Sequence, residues 1–309
     1  MTSRLSRRFH QVDVFTAQPL KGNPLAVVHD AAGLDDATMA AFARWTNLSE
    51  TAFLLPPTDL QLADQLADPA TVPAAHHLAA QVAVQADYRV RIFTPGGELP
   101  FAGHPTLGSC WAWLAAGGQP KQAGMVVQEC GIGLVRVRQG GADESGRLAF
   151  AAPPLRRTGP LDGELLARIV AALGVPAADV LQHQWVDNGP GWCAVMLRSA
   201  AQVLAVRPDW ALLGDLKLGL VGAQPAGADT QFEVRAFVPG MGVPEDPVTG
   251  SLNAGLAQWL MGAGLAPTRY VAAQGAAMGR AGRVHVQQAG TEIWIGGDVV
   301  ACVSGEVAL

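Results

Sequence analysis

Residues 89–114, RVRIFTPGGELPFAGHPTLGSCWAWL, decide the fold because the chain uses the same pattern twice. The second copy is EVRAFVPGMGVPEDPVTGSLNAGLAQWL at residues 233–260, and both copies contain Arg-x-Phe-x-Pro-Gly, a polar cluster and a helix pattern. When the copies are aligned with one small gap, His104-Pro105 falls on Asp246-Pro247. A titratable residue at the same point of each copy predicts two half-sites that face one cleft.

Both copies end in a helix pattern without a charged residue, at residues 106–116 and 249–265. A helix that is apolar on every side is buried on every side. Short strand patterns surround both helices, so we predict an α+β fold of two pseudo-symmetric lobes, each with a helix through its centre. The clearest linker is GGQP at residues 117–120, which places the end of a first lobe, residues 1–118, at Gly118.

Composition narrows the classes of function. Half of the 309 residues are hydrophobic, 15% are charged and the net charge is −5, which favours a sizeable core and disfavours nucleic acid or an anionic membrane as partner. No uncharged apolar run approaches the ~18 residues of a membrane span, and no apolar segment follows the basic N-terminus. The four cysteines lie far apart and form no CxxC pair. We therefore expect a cytoplasmic protein with reduced thiols.

Glu50 stands at a junction between two predicted elements. Residues 34–46 predict a helix that Asp35 or Asp36 caps, and the following segment leads into a strand. A side chain at such a junction can enter a cleft. Residues 57–87, rich in Ala, Gln, Asp and Leu, are predicted to be a surface excursion.

The start of each buried helix offers a site for an anion, since its backbone N–H groups are unpaired and its dipole end is positive. Gly103 and Gly250 let a ligand approach the backbone closely. A small carboxylate-bearing molecule between the lobes fits this arrangement, with His104, Asp246 and Glu50 placed to move a proton from carbon to carbon. Each motif also has a purely structural interpretation. Gly-His-Pro is usually a turn, and Asp-Pro-x-Thr-Gly is usually a helix N-cap.

Several segments together make the sequence recognisable. They resemble, in order and spacing, the PhzF-like (phenazine-biosynthesis isomerase) family. The segments are VDVFT at 12–16, GNPLAVV at 22–28, NLSET at 47–51, RIFTP at 91–95, GHPTLG at 103–108 and EDPVTGS at 245–251.

The resemblance implies the diaminopimelate-epimerase fold, in which each lobe is a strand barrel around its central helix and the active site lies in the cleft between the lobes. On this basis residues from about 292 to 309 return to complete the first lobe, and residues 119–291 form the second. The resemblance also implies a homodimer and proton transfer without metal or other cofactor.

The family's isomerase moves a proton within trans-2,3-dihydro-3-hydroxyanthranilate, and the glutamate of the NLSET-type motif carries it. By resemblance that residue is Glu50 here. His104 and Asp246 match positions that hold or polarise the substrate's polar groups, and Ser251 with Gly250 matches those that grip its carboxylate.

Two other classes of function remain open. One is a two-base racemase or epimerase, whose relatives carry a cysteine in each half-site, whereas here the alignment puts His104 and Asp246 there and Cys110 lies later, inside the helix. The other is a non-catalytic protein that binds a small molecule in the same cleft. Hydrolase and dehydrogenase functions are disfavoured, because the chain has no Gly-x-Ser-x-Gly and no Gly-x-Gly-x-x-Gly after a strand.

Overall fold

The computed structural model describes residues 5–58, 85–140, 146–241 and 243–309. Most of the predicted surface excursion, residues 59–84, lies outside the described residues. The α-helices in these described ranges are α1 (Asp36–Thr46), α2 (Gly103–Ala115), α3 (Gly163–Leu173), α4 (Ala200–Ala205), α5 (Trp210–Leu213) and α6 (Gly250–Gly262). Within the described part of the chain, no helix has both the length and the hydrophobicity that crossing a membrane requires.

The described residues also contain seventeen strands and three short 3-10 helices. The first eight are β1 (Ser6–Val14), β2 (Asn23–Val28), β3 (Glu50–Leu55), β4 (Tyr88–Thr94), β5 (Gly97–Leu99), β6 (Met125–Cys130), β7 (Gly133–Gln139) and β8 (Leu148–Ala151). The others are β9 (Val180–Trp185), β10 (Cys193–Leu197), β11 (Leu218–Ala223), β12 (Phe232–Phe237), β13 (Glu245–Asp246), β14 (Arg269–Gln274), β15 (Gly282–Ala289), β16 (Glu292–Gly297) and β17 (Val299–Ala308).

The two halves of the chain pair their strands in the same way. In the first half, β1–β2 is antiparallel, β2–β3 parallel, β3–β4 antiparallel, β4–β6 parallel, and β6–β7–β8 antiparallel. The second half repeats this sequence of pairings through β9–β10, β10–β11, β11–β12, β12–β14 and β14–β15–β16. We therefore call β1–β8 the first repeat and β9–β16 the second repeat.

Hydrogen bonds between β8 and β16 join the two repeats into one connected ladder, and β17, which follows the second repeat, pairs with β1. The predicted return of the C-terminus is seen in β17, which runs along β1. The predicted division into lobes at residues 118 and 292 stays a prediction. Strand pairing defines the repeats differently, because β6 to β8 continue the ladder of β4 and β16 pairs with β15. We propose that the repeats end after Ala151 and after Gly297.

The segment predicted as a linker has another role. The N–H groups of Gly117 and Gly118 donate to the carbonyls of Leu114 and Trp113, and Gly117 has φ of 94°. These contacts terminate a helix in the way glycine commonly does. The glycine pair therefore ends α2 within the first repeat.

Burial of α2 and α6 confirms the predicted central helices. Each is 13 residues long, and most of its residues are buried in the same hydrophobic core. α2 packs against β1, β2, β3 and β8, and α6 packs against β15 and β16. α2 begins at Gly103, before the predicted residue 106, because Pro105 is tolerated in a first helical turn, where its missing N–H leaves no bond unmade.

The helix-capping residues also match the local sequence patterns. The Asp35 side chain accepts a hydrogen bond from the Thr38 N–H and caps α1, as one of the two predicted candidates. Asp162 caps α3 in the same way, and Gly174 ends that helix with φ of 63°. Short-range chemistry of this kind is readable from sequence because donor and acceptor are a few residues apart.

The register between the repeats differs from the predicted alignment. Arg91 forms a two-pronged ion pair with Glu98 across β4 and β5, and Arg235 forms the same pair with Glu245 across β12 and β13. In each repeat, the residue after this glutamate pairs with the residue that precedes the phenylalanine of the Arg-x-Phe pattern. Leu99 is therefore the counterpart of Asp246.

From this point the repeats match without a gap. Gly103 and Gly250 both begin a central helix, so His104 is the counterpart of Ser251. The prediction that His104 and Asp246 occupy the same point of the two copies is therefore wrong. The sequence alignment matched the Gly-Ser dipeptide of one copy with that of the other because they are identical. The hydrogen bonds between strands show instead how the two repeats correspond.

Candidate active site

A cavity of about 280 Å³ lies beside the N-terminal ends of α2 and α6. Residues from both repeats line it. Its polar lining includes Ser49, Glu50, Asn188, Asp246, Thr249 and Ser251, its apolar lining includes Leu99, Phe101, Ile132, Trp192, Val238 and Val243, and its cationic lining is Arg156 and Lys217. A mainly apolar cavity with a few convergent polar groups is typical of a small-molecule site.

The backbones of α2 and α6 meet behind this cavity. A Cβ atom placed on Gly103 would lie 2.8 Å from the Cα of Gly250, so neither position has room for a side chain. Gly103, His104 and Gly250 do not line the cavity, whereas Glu50, Asp246 and Ser251 do. Of the predicted site residues, three therefore face the cavity and three form the wall behind it.

Glu50 is the first residue of β3, directly after the turn that ends α1. Asn47 ends the helix in a left-handed conformation with φ of 54°, which turns the chain sharply into the strand. Glu50 is only 9% exposed, and its Oε2 has no hydrogen-bond partner among the described residues. Burial raises the pKa of Glu50 to about 7, because the ionised form loses its hydration.

His104 approaches Glu50 from the start of α2. The distance between His104 Nε2 and Glu50 Oε2 is 3.5 Å. Burial lowers the pKa of His104 to about 4, even though the negative charge of Asp246 opposes this shift. At neutral pH the imidazole is therefore uncharged, and Glu50 has access to both of its protonation states.

Asp246 reaches the same place from the second repeat. Its two carboxyl oxygens accept hydrogen bonds from Asn23 Nδ2 at 2.9 Å and from Thr249 Oγ1 at 2.6 Å. Burial, and next the charge of Glu50, raises the pKa of Asp246 to about 6. Asp246 thus bonds a hydroxyl and an amide side chain, and not the helix N–H groups that an N-cap would contact.

Asn23 is a site residue that the sequence argument missed. It is fully buried, and its Nδ2 donates to Asp246 Oδ1 and to the carbonyl of Val248, both at 2.9 Å. The same nitrogen lies 3.2 Å from His104 Nδ1. One amide therefore connects the first repeat to the segment before α6. Its motif, Gly-Asn-Pro, was noticed in the sequence without a role for the asparagine.

Ser251 is oriented by two neighbours from the β9–β10 connection. Its Oγ accepts a hydrogen bond from Trp192 Nε1 at 3.0 Å, and its carbonyl accepts one from Asn188 Nδ2 at 2.8 Å. Within the described residues, the Ser251 hydroxyl hydrogen has no acceptor and Asn188 Oδ1 has no donor. The Ser251 hydroxyl therefore has a hydrogen to donate at the cavity, whereas Asn188 Oδ1 is buried.

The first turns of α2 and α6 have no side-chain caps. Ala102 and Thr249 occupy the two N-cap positions, and neither side chain bonds a helix N–H. In the described part of the chain, no acceptor contacts the N–H groups of Gly250 and Ser251. Free N–H groups at the positive end of a helix dipole favour an anion.

This chain is similar in sequence to known proteins. A sequence profile described as "Phenazine biosynthesis-like protein" matches residues 12–305. The chain belongs to this family. An uncharacterized isomerase from Mesorhizobium japonicum is 33% identical over 98% of this chain and 99% of that protein. "Antisense-enhancing sequence 1" of Schizosaccharomyces pombe is 32% identical over 96% of this chain and 97% of its own length.

A solved structure of another family relative shares the fold. The structure of a predicted epimerase from Pseudomonas aeruginosa matches this phenazine biosynthesis-like protein with a TM-score of 0.71 and 27% identity, over 97% of this chain and 99% of that one. The predicted epimerase-like α+β fold is confirmed. The names of the relatives support an isomerase activity in the broad sense. Among the described residues, no group of three or more His, Cys, Asp or Glu side chains could hold a metal ion.

Proposed function

We propose that this chain is a cofactor-independent isomerase that shifts a proton between two carbons of a small carboxylate substrate. The reaction would resemble that of trans-2,3-dihydro-3-hydroxyanthranilate isomerase. The observation that carries the proposal is Glu50, a buried carboxyl at the cavity whose pKa is raised to about 7 beside an uncharged imidazole. A general base and acid works best when its pKa lies near the working pH.

Glu50 would act first as base and then as acid. Its carboxylate removes a proton from one substrate carbon, and the electron pair of the broken C–H bond enters the substrate's conjugated system. The carboxyl group then returns a proton to a second carbon, which forms a new C–H bond and regenerates the carboxylate. Atoms and electrons balance without an oxidant or reductant.

Asp246 would hold the substrate during this transfer, and His104, which lies behind the cavity wall, would act on the substrate through Glu50. Neutral His104 has an unpartnered Nε2 beside Glu50, and Asp246 is held still by Asn23 and Thr249. The N–H groups of Gly250 and Ser251 and the Ser251 hydroxyl are suited to the substrate carboxylate. Gly103 contributes indirectly, since its lack of a side chain lets the two helix ends meet.

Solvent deuterium tests the proposal. In deuterated water the wild type should place deuterium on a carbon of trans-2,3-dihydro-3-hydroxyanthranilate or of a cyclic amino acid from a small panel. Glu50→Gln keeps the shape and removes the titratable oxygen, so ligand binding should persist while exchange falls roughly 100-fold or more. Exchange at the wild-type rate in Glu50→Gln would show that another residue is the base.

A two-base epimerase is the second candidate, and Asp246 is the observation in its favour. This carboxyl comes from the opposite repeat and its pKa is raised to about 6. Cys110, by contrast, is fully buried inside α2, and burial raises the pKa of its thiol. Single-turnover labelling separates the two mechanisms. In the one-base mechanism, Glu50 returns part of the hydrogen taken from the substrate to the product. In the two-base mechanism, the hydrogen that enters the product comes entirely from solvent.

A third possibility is a non-catalytic binding protein of the same fold, which would bind the ligand panel and exchange no carbon-bound hydrogen with any member. The homodimer stays a prediction of the family resemblance.

A further inference from the structure

Lys217 occupies in the second repeat the position that Glu50 occupies in the first. Thr51, which follows Glu50, pairs with the phenylalanine of the Arg-x-Phe pattern in β4. Leu218, which follows Lys217, pairs with the corresponding phenylalanine in β12. Glu50 is the first residue of β3, Lys217 immediately precedes β11, and both residues line the cavity. Duplication has placed a cation where the first repeat has its carboxyl.

Arg156 is the second cation of the cavity lining. Its backbone N–H donates to the carbonyl of Asp187, and its guanidinium carbon lies 3.9 Å from where a Cβ of Gly189 would be. Gly189 has φ of 140°, a conformation that favours glycine and leaves this space to the arginine. The guanidinium is thus directed along the edge of the cavity.

Neither cation is neutralised by the protein. Among the described residues, no carboxylate forms an ion pair with Lys217 or Arg156, although most of the ion pairs there are made by arginines. The lining that they share also contains apolar side chains, including Ile132, Trp192 and Val243. Two unpaired cations beside an apolar cavity raise the local affinity for an anion.

The carboxylate already assigned to the α6 N-terminus does not account for these cations. Ser251 and the free N–H groups of α6 are sufficient for one carboxylate, and they lie at the helix end. Lys217 comes from the start of β11 and Arg156 from the segment after β8, so the cations approach the cavity from separate elements. A second anionic group on the same molecule would satisfy them.

We propose that the substrate of this enzyme is a small dianion, with one carboxylate at the start of α6 and a second acidic group held by Lys217 and Arg156. This inference rests on the proposed function for the first carboxylate. The second acidic group is a carboxylate or a phosphate, since both accept charge-assisted hydrogen bonds from Lys and Arg. Lys217 and Arg156 are thus specificity-determining residues, and neither takes part in proton transfer.

Matched ring acids test the proposal without any need for turnover. Benzoate supplies one carboxylate, benzene-1,3- and benzene-1,4-dicarboxylate add a second, and 3-phosphonobenzoate replaces it with a phosphonate. Calorimetric titration of the wild type should show at least one dianion binding roughly 10-fold tighter than benzoate or more, as expected for one charge-assisted contact. Whether the preferred group is carboxylate or phosphonate distinguishes the two sources of the second charge.

Variants that lack one of the two cations test whether Lys217 and Arg156 cause the preference for a dianion. Lys217→Met and Arg156→Leu should each weaken binding of the preferred dianion about 10-fold and change benzoate binding by less than about 2-fold. Arg44→Leu is the matched control, because Arg44 is exposed on α1, makes no contact with the cavity and carries the same charge. It should leave both affinities unchanged. Thermal unfolding of each variant without ligand checks that it is folded.

Equal losses for benzoate and the dianion, or no wild-type preference for any dianion, would overturn the proposal. Failure of the proton-transfer mechanism has a different signature. If Glu50→Gln still exchanges deuterium while the selectivity at Lys217 is intact, the chemistry is wrong and the dianion specificity stands.

Discussion

Replacing Glu50 by Gln should change how the stability of the protein depends on pH, and this prediction needs no substrate. Burial raises the pKa of Glu50 from 4.5 to about 7. A carboxyl whose pKa is higher in the folded state favours folding while it is protonated in both states, below pH 4.5. That contribution is lost as the pH rises through 7, because the folded protein must then hold a buried carboxylate.

The magnitude follows from the size of the shift. One pKa unit corresponds to about 1.4 kcal/mol, so a shift from 4.5 to about 7 costs about 3 kcal/mol of unfolding free energy once Glu50 is ionised in both states. Glu50 is nearly buried, so solvent screens little of this cost. Glu50→Gln removes the titration but keeps the shape of the side chain.

Urea unfolding at pH 5 and pH 8 measures the effect. The wild type should lose about 2–3 kcal/mol more than Glu50→Gln between the two values, because a small part of the loss has already occurred at pH 5. Glu233, whose pKa is also raised to about 7, titrates in both proteins and cancels in the difference. Asp246 does not cancel completely, because the charge of Glu50 contributes to its raised pKa, and this contribution adds to the loss in the wild type. The cost of the substitution itself cancels too, since it is present at both pH values. If the two proteins show the same change from pH 5 to pH 8, Glu50 has an ordinary pKa and the proposed proton carrier loses its main support.

Three further substitutions test the neighbours of Glu50. Ser251→Ala should weaken binding of any carboxylate ligand by about 1 kcal/mol, and unchanged affinity in calorimetry would remove Ser251 from the site. Asn23→Ala leaves buried acceptors on Asp246 and Val248 without a donor, so it should cost about 2–5 kcal/mol of stability in urea unfolding. The same change should also raise the pKa of Asp246 further, which moves the acidic limb of the kcat/KM profile to higher pH; a profile identical to the wild type would contradict that role. His104→Asn should lower kcat more than it raises KM, because His104 lies beside Glu50 behind the cavity wall and positions that carboxyl. A change in KM alone would contradict this role.

Features that depend on neighbours in the chain were determined by the sequence. The caps at Asp35 and Asp162 join atoms three residues apart. The uncharged stretches of α2 and α6 require burial on every side, whatever surrounds them. The duplicated segments likewise predicted the two-repeat α+β fold, because a repeated sequence forms a repeated unit.

The register of the repeats and the limits of each half were decided by tertiary structure alone. Strand ladders connect residues far apart in sequence, and a ladder with a period of two residues accepts several local alignments. Dipeptide identity therefore matched His104 with Asp246, whereas the ion pairs and strand pairing match His104 with Ser251 and Leu99 with Asp246.

The composition of the cavity wall also required the fold. The amide of Asn23 bonds a carboxylate more than two hundred positions away, and Lys217 becomes the counterpart of Glu50 only through the pairing of β11 with β12. No local pattern signals either contact, because a buried hydrogen bond or an unpaired charge depends on which distant groups share the same space. Sequence thus determined which residue types were available for proton transfer, and long-range packing decided which of them face one another.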